Sequence, residues 1–284
     1  MPSREKAIAF YRRGIFGIEY LGMIRKMAAI NFYIRGLNPQ NIEQGDSLAA
    51  FDLVKDSGSK TVVLANPPFG AERNQDAYPN VWEEFSRESE TTILFVKLMF
   101  DALAPGGRCA VIFSEGFLTW DQNSARTLRK VLVENTNLRA IISLPQDVFV
   151  SKGGVGPKTS ILIFDKSGPT EEVWFYKVTN DGYTMGTNRR PIEGCQLVEA
   201  LDLYEKYVRY GKTTPETKHS FSVPTDWILA LDPRVKLRIQ DETTAEFSEK
   251  AEKEHKQLAA KLAEQAEQDK ITYKVESLQL KHGS

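Results

Sequence analysis

Residues 61–70 read Thr-Val-Val-Leu-Ala-Asn-Pro-Pro-Phe-Gly, an apolar run that ends in a double-proline turn. Five apolar or β-branched residues without polar alternation predict a strand that is buried on both faces of a parallel sheet. Pro67 and Pro68 have no backbone N–H and a fixed φ, so neither the strand nor a helix can continue through them. We therefore expect a sharp turn at the carboxyl end of this strand, where open α/β sheets bind their ligands.

The turn combines two hydrogen-bond acceptors with an aromatic ring. Asn66 offers a side-chain carbonyl, Pro67 a backbone carbonyl, and Phe69 the face of its ring. This set suits a planar ring with an exocyclic amine, because the amine donates two hydrogen bonds while the ring stacks. The structural alternative is a proline turn that ends a core strand, with Asn66 acting as a turn former.

The sequence Asn66-Pro67-Pro68-Phe69 resembles the catalytic motif of S-adenosylmethionine-dependent DNA adenine-N6 methyltransferases, especially the modification subunits of type I restriction systems. The resemblance implies a class I methyltransferase fold, which is a Rossmann-like, doubly wound α/β sheet. It implies methyl transfer to a flipped adenine by these four residues, with Asn66 also beside the cofactor, and it requires no metal. A close variant of the motif occurs in protein glutamine methyltransferases, which remain an alternative.

Two acidic residues precede the turn at helix-sized intervals. Glu19 follows a short predicted strand at residues 15–18, and Asp46 follows another at residues 41–45. Carboxylates at the carboxyl ends of parallel strands commonly receive the ribose of a nucleoside cofactor. By resemblance, Glu19 binds the cofactor's ribose and Asp46 its adenine. The structural alternatives, which involve no ligand, are a solvated acid for Glu19 and a helix cap for Asp46.

The resembled family has a further strand and a glycine-rich turn before the acid that Glu19 matches, and residues 1–14 contain no such turn. In the family's sheet that strand is central, so its absence predicts two unpaired edges, beside the strands that end in Glu19 and Asn66. We expect a chain that lacks the front of the fold and is inactive alone, since this turn positions the cofactor. An inert remnant or a non-catalytic assembly module is the non-enzymatic alternative.

Two loops are candidates for contacts with DNA. Residues 71–90 form a long acidic segment in which Tyr78 and Trp82 could stack on bases. Residues 145–158 are glycine-rich, and there Phe149 could pack against a flipped base while Lys152 and Lys158 could meet phosphates. A simple hairpin turn explains the second loop equally well.

The remaining pattern predicts alternating helices and strands. Helices are predicted at residues 21–35, whose apolar stripe should face the core, and at residues 91–103, 124–135 and 197–210; strands are predicted at residues 108–113, 138–144, 159–164 and 173–178. Together with the segments above, this order predicts a partial methyltransferase domain at residues 1–180 and a connecting region at residues 181–240.

Residues 241–284 read as a helical tail. Acid-before-base pairs four residues apart, such as Glu246 with Lys250, support a helix with a narrow apolar stripe. Such a helix is either a solvated arm or half of a helix pair, and the resemblance implies that the tail contacts a DNA-specificity subunit. A restriction subunit is a further partner that the resemblance suggests for the protein. The net charge of −1 agrees with a partner, because a protein that grips DNA unaided needs a basic excess.

The composition excludes several classes of protein. The longest apolar run, residues 93–103, is too short for a membrane span and is interrupted by Lys97 and Asp101. Without a recognisable signal peptide, a cytoplasmic location is expected. Cys109 and Cys195 are far apart and the three histidines are scattered, which predicts free thiols and no zinc site.

Overall fold

The computed structural model describes residues 3–52, 56–69, 90–150, 156–210 and 217–229, and residues 253, 256, 257 and 260. The chain divides into two compact units, Met1–Val111 and Ile112–Ser284. The predictions for Tyr78, Trp82 and Lys152, and for the Glu246–Lys250 pair of the tail, lie outside the described residues.

The first unit contains short strands and helices. Its helices are α1 (Arg4–Ala9), α2 (Gly22–Ile34), α3 (Ser47–Ala50) and α4 (Thr91–Ala102). Its strands are β1 (Gly17–Glu19), β2 (Ile42–Gln44), β3 (Lys60–Ala65) and most of β4 (Leu103–Ser114). A π-helical turn, Phe10–Gly14, follows α1, and a 3₁₀ turn, Pro39–Asn41, precedes β2.

Two parallel strand pairs form the β-structure of this unit. β1 pairs with β2, so that Glu19 lies opposite Gln44, and the two make a separate two-stranded sheet. β3 pairs with β4, and Ala65 lies opposite Val111. The predicted strand–helix–strand order from β1 through α2 to β2 is therefore confirmed.

Helix α4 is the centre of this unit's core. Nine of its twelve residues are buried, including Lys97 and Asp101, whose side chains form an ion pair at 2.9 Å. The predicted helix is confirmed, and its N-cap is Glu90, whose side chain accepts the Thr92 N–H. The helix also ends earlier than predicted, since β4 already begins at Leu103.

Two predictions of burial are wrong. β3 was expected to be buried on both faces, but Val62 is 53% exposed and Leu64 is 78% exposed. The apolar stripe of α2 was expected to face the core, but no residue of that helix is buried. Both segments form the expected secondary structure, but no described element covers their apolar side chains.

In the second unit four paired strands pack against helices. After a 3₁₀ turn at Glu115–Leu118, its elements are α5 (Asn123–Asn135), β5 (Asn137–Ser143), β6 (Thr159–Asp165), β7 (Glu172–Lys177), α6 (Leu197–Tyr210), β8 (Ser220–Pro224) and α7 (Thr225–Leu229). The strand order is β6-β5-β7-β8, with β5 antiparallel to β6 and parallel to β7, and with β8 antiparallel to β7.

Aromatic packing joins α6 to this sheet. Trp174 of β7 is 1% exposed, and its ring stacks on that of Tyr207 with the centroids 5.9 Å apart. Its indole nitrogen donates to Ser220 Oγ at 2.9 Å, so the one polar group of this large side chain has a partner. The predicted helices and strands of this unit are confirmed, with ends shifted by one residue at most places.

Candidate functional site

The double-proline turn is anchored to the core helix of the first unit. β3 ends at Ala65, after which Asn66 is exposed and Pro67 is buried. The Thr91 hydroxyl, at the first position of α4, donates to the Pro68 carbonyl at 3.3 Å. Because Thr91 is fully buried, this bond fixes the turn to a rigid element while Asn66 faces solvent.

The anchoring bond leaves other acceptors of the turn available. Within the described residues, neither the Asn66 side chain nor the Pro67 carbonyl accepts a hydrogen bond, whereas the Pro68 carbonyl does. Phe69 is half-buried two residues further on. An amine that reached this turn would meet acceptors that have no competing donor among these residues.

The two acids stand at the carboxyl ends of β1 and β2. Glu19 Oε1 accepts the Leu21 N–H at 2.8 Å, and Asp46 Oδ1 accepts the Leu48 N–H at 3.0 Å. Asp46 is therefore the N-cap of α3, as the structural alternative predicts. Both side chains are half-buried. In each case the hydrogen bond from the backbone orients the carboxylate.

Helix α4 contacts both the helix that Asp46 caps and the double-proline turn. Leu48, which follows the Asp46 cap, is buried, and α3 contacts α4. The same α4 holds Pro68 through Thr91. Asp46 and the proline turn are thus both positioned by one buried helix.

The late loop of the second unit uses its candidate side chains internally. Phe149 packs against the core cluster that contains Leu144 and Trp174, and Lys158 Nζ donates to the Leu144 carbonyl. The ends of the loop are joined by the Gly156 N–H, which donates to Asp147 Oδ1 at 2.8 Å. This arrangement favours the hairpin interpretation over contacts of Phe149 with a base or of Lys158 with phosphate.

A buried polar cluster in the second unit was not predicted from the sequence. Glu115 is 8% exposed, and its Oε2 accepts hydrogen bonds from Ser143 and Ser160, each at 2.6 Å. These bonds tie the 3₁₀ turn to β5 and β6. Two serines within apolar strands were the available signal, because a buried hydroxyl requires a partner.

Both cysteines are free thiols, as predicted. Burial raises the pKa of Cys109 to about 12, so its thiol remains protonated, whereas Cys195 is exposed. Among the residues that the structure describes, no three His, Cys, Asp or Glu side chains come together as a possible metal site. No helix in that part of the chain is long and apolar enough to cross a membrane.

Comparison with known families identifies the chain. The family described as N-6 DNA Methylase matches residues 4–272. The chain belongs to this family. The N-6 DNA Methylase match includes the proline turn and both acids.

A solved structure supports the fold. A modification subunit assigned to a type I restriction enzyme from Vibrio vulnificus YJ016 superposes with a TM-score of 0.63, over 79% of this chain and 46% of that one, at 24% sequence identity. The chain shares the mixed α/β fold of that subunit, in agreement with the predicted fold class.

Curated relatives are methylase subunits of type I restriction enzymes. The EcoEI methylase subunit from Escherichia coli is 29% identical over 222 residues, covering 76% of this chain and 44% of that protein. The StySJI methylase subunit from Salmonella typhimurium is 25% identical over 226 residues, covering 78% of this chain and 38% of that protein. The chain thus spans less than half the length of these two relatives.

Proposed function

We propose that this chain forms the substrate-binding part of a DNA adenine-N6 methyltransferase that uses S-adenosylmethionine. The observation that carries the proposal is the turn Asn66-Pro67-Pro68-Phe69, held on α4 by Thr91 in a member of the N-6 DNA Methylase family. An exposed amide beside an available carbonyl and a ring is suited to an aromatic amine.

Each residue of the turn has a distinct role in this proposal. The Asn66 and Pro67 carbonyls accept the two amine hydrogens of a flipped adenine and draw the nitrogen toward a tetrahedral, nucleophilic geometry. Phe69 stacks on the adenine ring, and Pro68 sets the backbone that Thr91 holds. The adenine must leave the duplex, because its amine is paired there.

The acids hold the nucleoside part of the cofactor. Glu19 accepts from the ribose hydroxyls and Asp46 from the adenine amine, each through an oxygen of a carboxylate that a backbone N–H already orients. Bound S-adenosylmethionine supplies an electrophilic methyl group on a sulfonium. We place Asn66 with the cofactor residues too, since the amine that it orients must face that methyl.

Mutation of Asn66 tests the catalytic assignment. In the methylase complex that contains this chain, Asn66→Ala should lower methyl transfer to adenine by roughly 10²–10³-fold, as expected for one lost contact to the transition state. Cofactor affinity, measured by calorimetry, should change little. Asn135→Ala is the matched control, because Asn135 is an exposed amide at the end of α5. Wild-type transfer by the Asn66 variant would refute the assignment.

A binding assay tests the site separately from the activity. The chain should prefer single-stranded DNA with adenine over the same strand with purine, which lacks the 6-amino group. Asn66→Ala should remove this preference. Equal binding of both strands by the wild type would argue against adenine recognition, and methylation of a glutamine-containing protein instead of DNA would favour the alternative enzyme class.

The partners in this proposal are DNA, a DNA-specificity subunit and a restriction subunit. The relatives that support it are subunits of type I restriction enzymes, and the net charge of −1 gives this chain little affinity for DNA by itself. Residues 1–180 would form the partial catalytic domain, residues 181–240 the connection, and residues 241–284 the partner-binding tail. Deletion of residues 241–284 should abolish copurification with the specificity subunit, and undiminished recovery would make the tail a solvated arm.

A further inference from the structure

The connection between β7 and α6, residues 179–196, is a hairpin held by its own hydrogen bonds. The Ile192 N–H donates to the Gly182 carbonyl at 2.8 Å, where the two arms face each other. At the base of the hairpin, Gln196 Oε1 accepts the Thr179 N–H at 2.7 Å. A backbone that is paired in this way loses little further freedom on binding, so the hairpin presents its side chains from a preformed surface.

The hairpin follows the carboxyl end of a parallel strand. β7 runs parallel to β5, with Lys177 opposite Ser143 at the carboxyl ends of both strands. Open α/β sheets bind their ligands beside the carboxyl ends of parallel strands. Within the second unit, the hairpin therefore lies at the edge where a ligand is expected.

A buried ion pair orients an aromatic ring at the hairpin tip, residues 183–190. Asp181 is 9% exposed, and Arg189 Nη2 donates to its two carboxylate oxygens at 2.6 and 2.5 Å. Arg189 Cζ lies over the Tyr183 ring, 5.3 Å from its centroid. Because the guanidinium is fixed by the carboxylate, it keeps the ring in one orientation. Tyr183 is nevertheless 48% exposed.

The tip also carries an available cation. Arg190 is exposed, and within the described residues its guanidinium makes no hydrogen bond or ion pair. Its backbone N–H donates to Thr184 Oγ1 at 2.9 Å, so the backbone is fixed while the side chain stays open to a ligand. Met185 adds an apolar side chain that is 56% exposed. An oriented ring beside an available guanidinium matches the two parts of a nucleotide, its base and its phosphate.

We propose that the hairpin tip is a contact surface for single-stranded DNA, in which Tyr183 stacks on an unpaired base and Arg190 pairs with a phosphate. The choice of DNA rests on the proposed function, which requires an adenine that has left the duplex and therefore needs unpaired DNA to be bound. The surface accepts any base, because every base has a face that can stack. Arg189 contributes orientation rather than charge, since Asp181 neutralises it.

The end of α6 offers an internal comparison. Tyr210 is 60% exposed, and Arg209 Cζ lies over its ring at 5.9 Å, so it resembles Tyr183 in exposure and in its neighbouring cation. Tyr207, one turn earlier, hydrogen-bonds Glu172, the first residue of β7. Tyr210 therefore lies toward the amino-terminal end of β7, away from the edge at which a ligand is expected.

Binding of the full chain to a fluorescent oligothymidylate of about 12 nucleotides, followed by anisotropy at low salt, tests the stacking contact. Tyr183→Ala should weaken binding by roughly tenfold, whereas Tyr183→Phe, which keeps a ring, should bind like the wild type. Tyr210→Ala is the matched control and should leave the affinity unchanged. Because the probe contains no adenine, its binding does not depend on adenine recognition, so this proposal and the proposed function can fail separately.

The salt dependence of the same binding tests the phosphate contact. Arg190→Ala should lower the slope of log affinity against log salt concentration by about 0.7, the value for one phosphate contact with a single strand. Tyr183→Ala should leave the slope unchanged, because a stacked ring releases no counterion. Arg209→Ala, which removes a cation from the other end of β7, should also leave it unchanged.

Four results would overturn the proposal. These are no binding of the oligothymidylate at about 50 mM salt, equal affinities of the wild type and Tyr183→Ala, equal losses in Tyr183→Ala and Tyr210→Ala, and an unchanged slope in Arg190→Ala. If Tyr183→Ala bound the probe normally but no longer copurified with the specificity subunit, the tip would be a protein interface instead. Circular dichroism of each variant should match that of the wild type, since the hydrogen bonds of the hairpin are retained.

Discussion

β3 and β5 are both apolar strands with a parallel partner, yet their burial is opposite. In β3, Leu64 is 78% exposed, whereas in β5, Ile141 is 2% exposed. β5 has β6 on one side and β7 on the other, whereas β3 has one partner among the described strands. The comparison shows that the number of neighbouring elements, rather than the composition of the strand, decides whether apolar side chains are buried.

The largest expected effect comes from the core beside β5. Trp174→Ala should lower the free energy of unfolding by about 3–5 kcal/mol, the usual cost of removing a large buried aromatic ring. The change removes the stack on Tyr207 and the hydrogen bond to Ser220 together. Urea unfolding followed by circular dichroism measures the loss.

Leu64→Ala is the matched change in β3. Because Leu64 is mostly exposed, its truncation should cost less than about 0.5 kcal/mol in the same experiment. A cost near that of Trp174→Ala would show that β3 is packed in solution, and the contrast between the two strands would then fail.

An effect between these two in size sharpens the contrast within the first unit itself. Thr91→Val should cost about 1 kcal/mol, because it removes the donor that holds the Pro68 carbonyl. Thr92→Val provides the control: Thr92 Oγ1 is buried without a hydrogen bond to the described residues, so its loss should be neutral or slightly stabilising. Both threonines are almost fully buried and valine has nearly the same shape. Equal costs in urea unfolding would mean that the Thr91 bond does not anchor the turn.

Secondary structure was predicted well wherever local signals suffice. Helix α6 has the predicted bounds, Leu197–Tyr210, and α5 begins one residue before the predicted start. The N-cap of α4 is harder to predict, because Glu90, Thr91 and Thr92 compete to cap the same helix start. Such a competition depends on side-chain geometry that a sequence pattern does not contain.

The functional predictions likewise divide into those that depend on neighbouring residues and those that depend on distant parts of the chain. The role of Asp46 as a helix cap depends only on the Leu48 N–H, two residues away, so the sequence alone could suggest it. The contacts of Phe149 and Lys158 with DNA stay a prediction, and the sequence did not indicate that these side chains pack and hydrogen-bond inside their own unit. A loop with glycine and lysine has the same composition whether its side chains contact DNA or pack inside their own unit, so composition could not distinguish the two arrangements.

The sequence by itself determined the end of β3, because two prolines exclude further strand pairing whatever surrounds them. It also determined the family, since the turn and the two acids are read in order along the chain. Only the tertiary structure decided that Glu115 joins Ser143 and Ser160, which lie 28 and 45 residues away, and that Val62 and Leu64 remain exposed. Burial and long-range hydrogen bonds depend on which distant elements come together, and no local pattern specifies that.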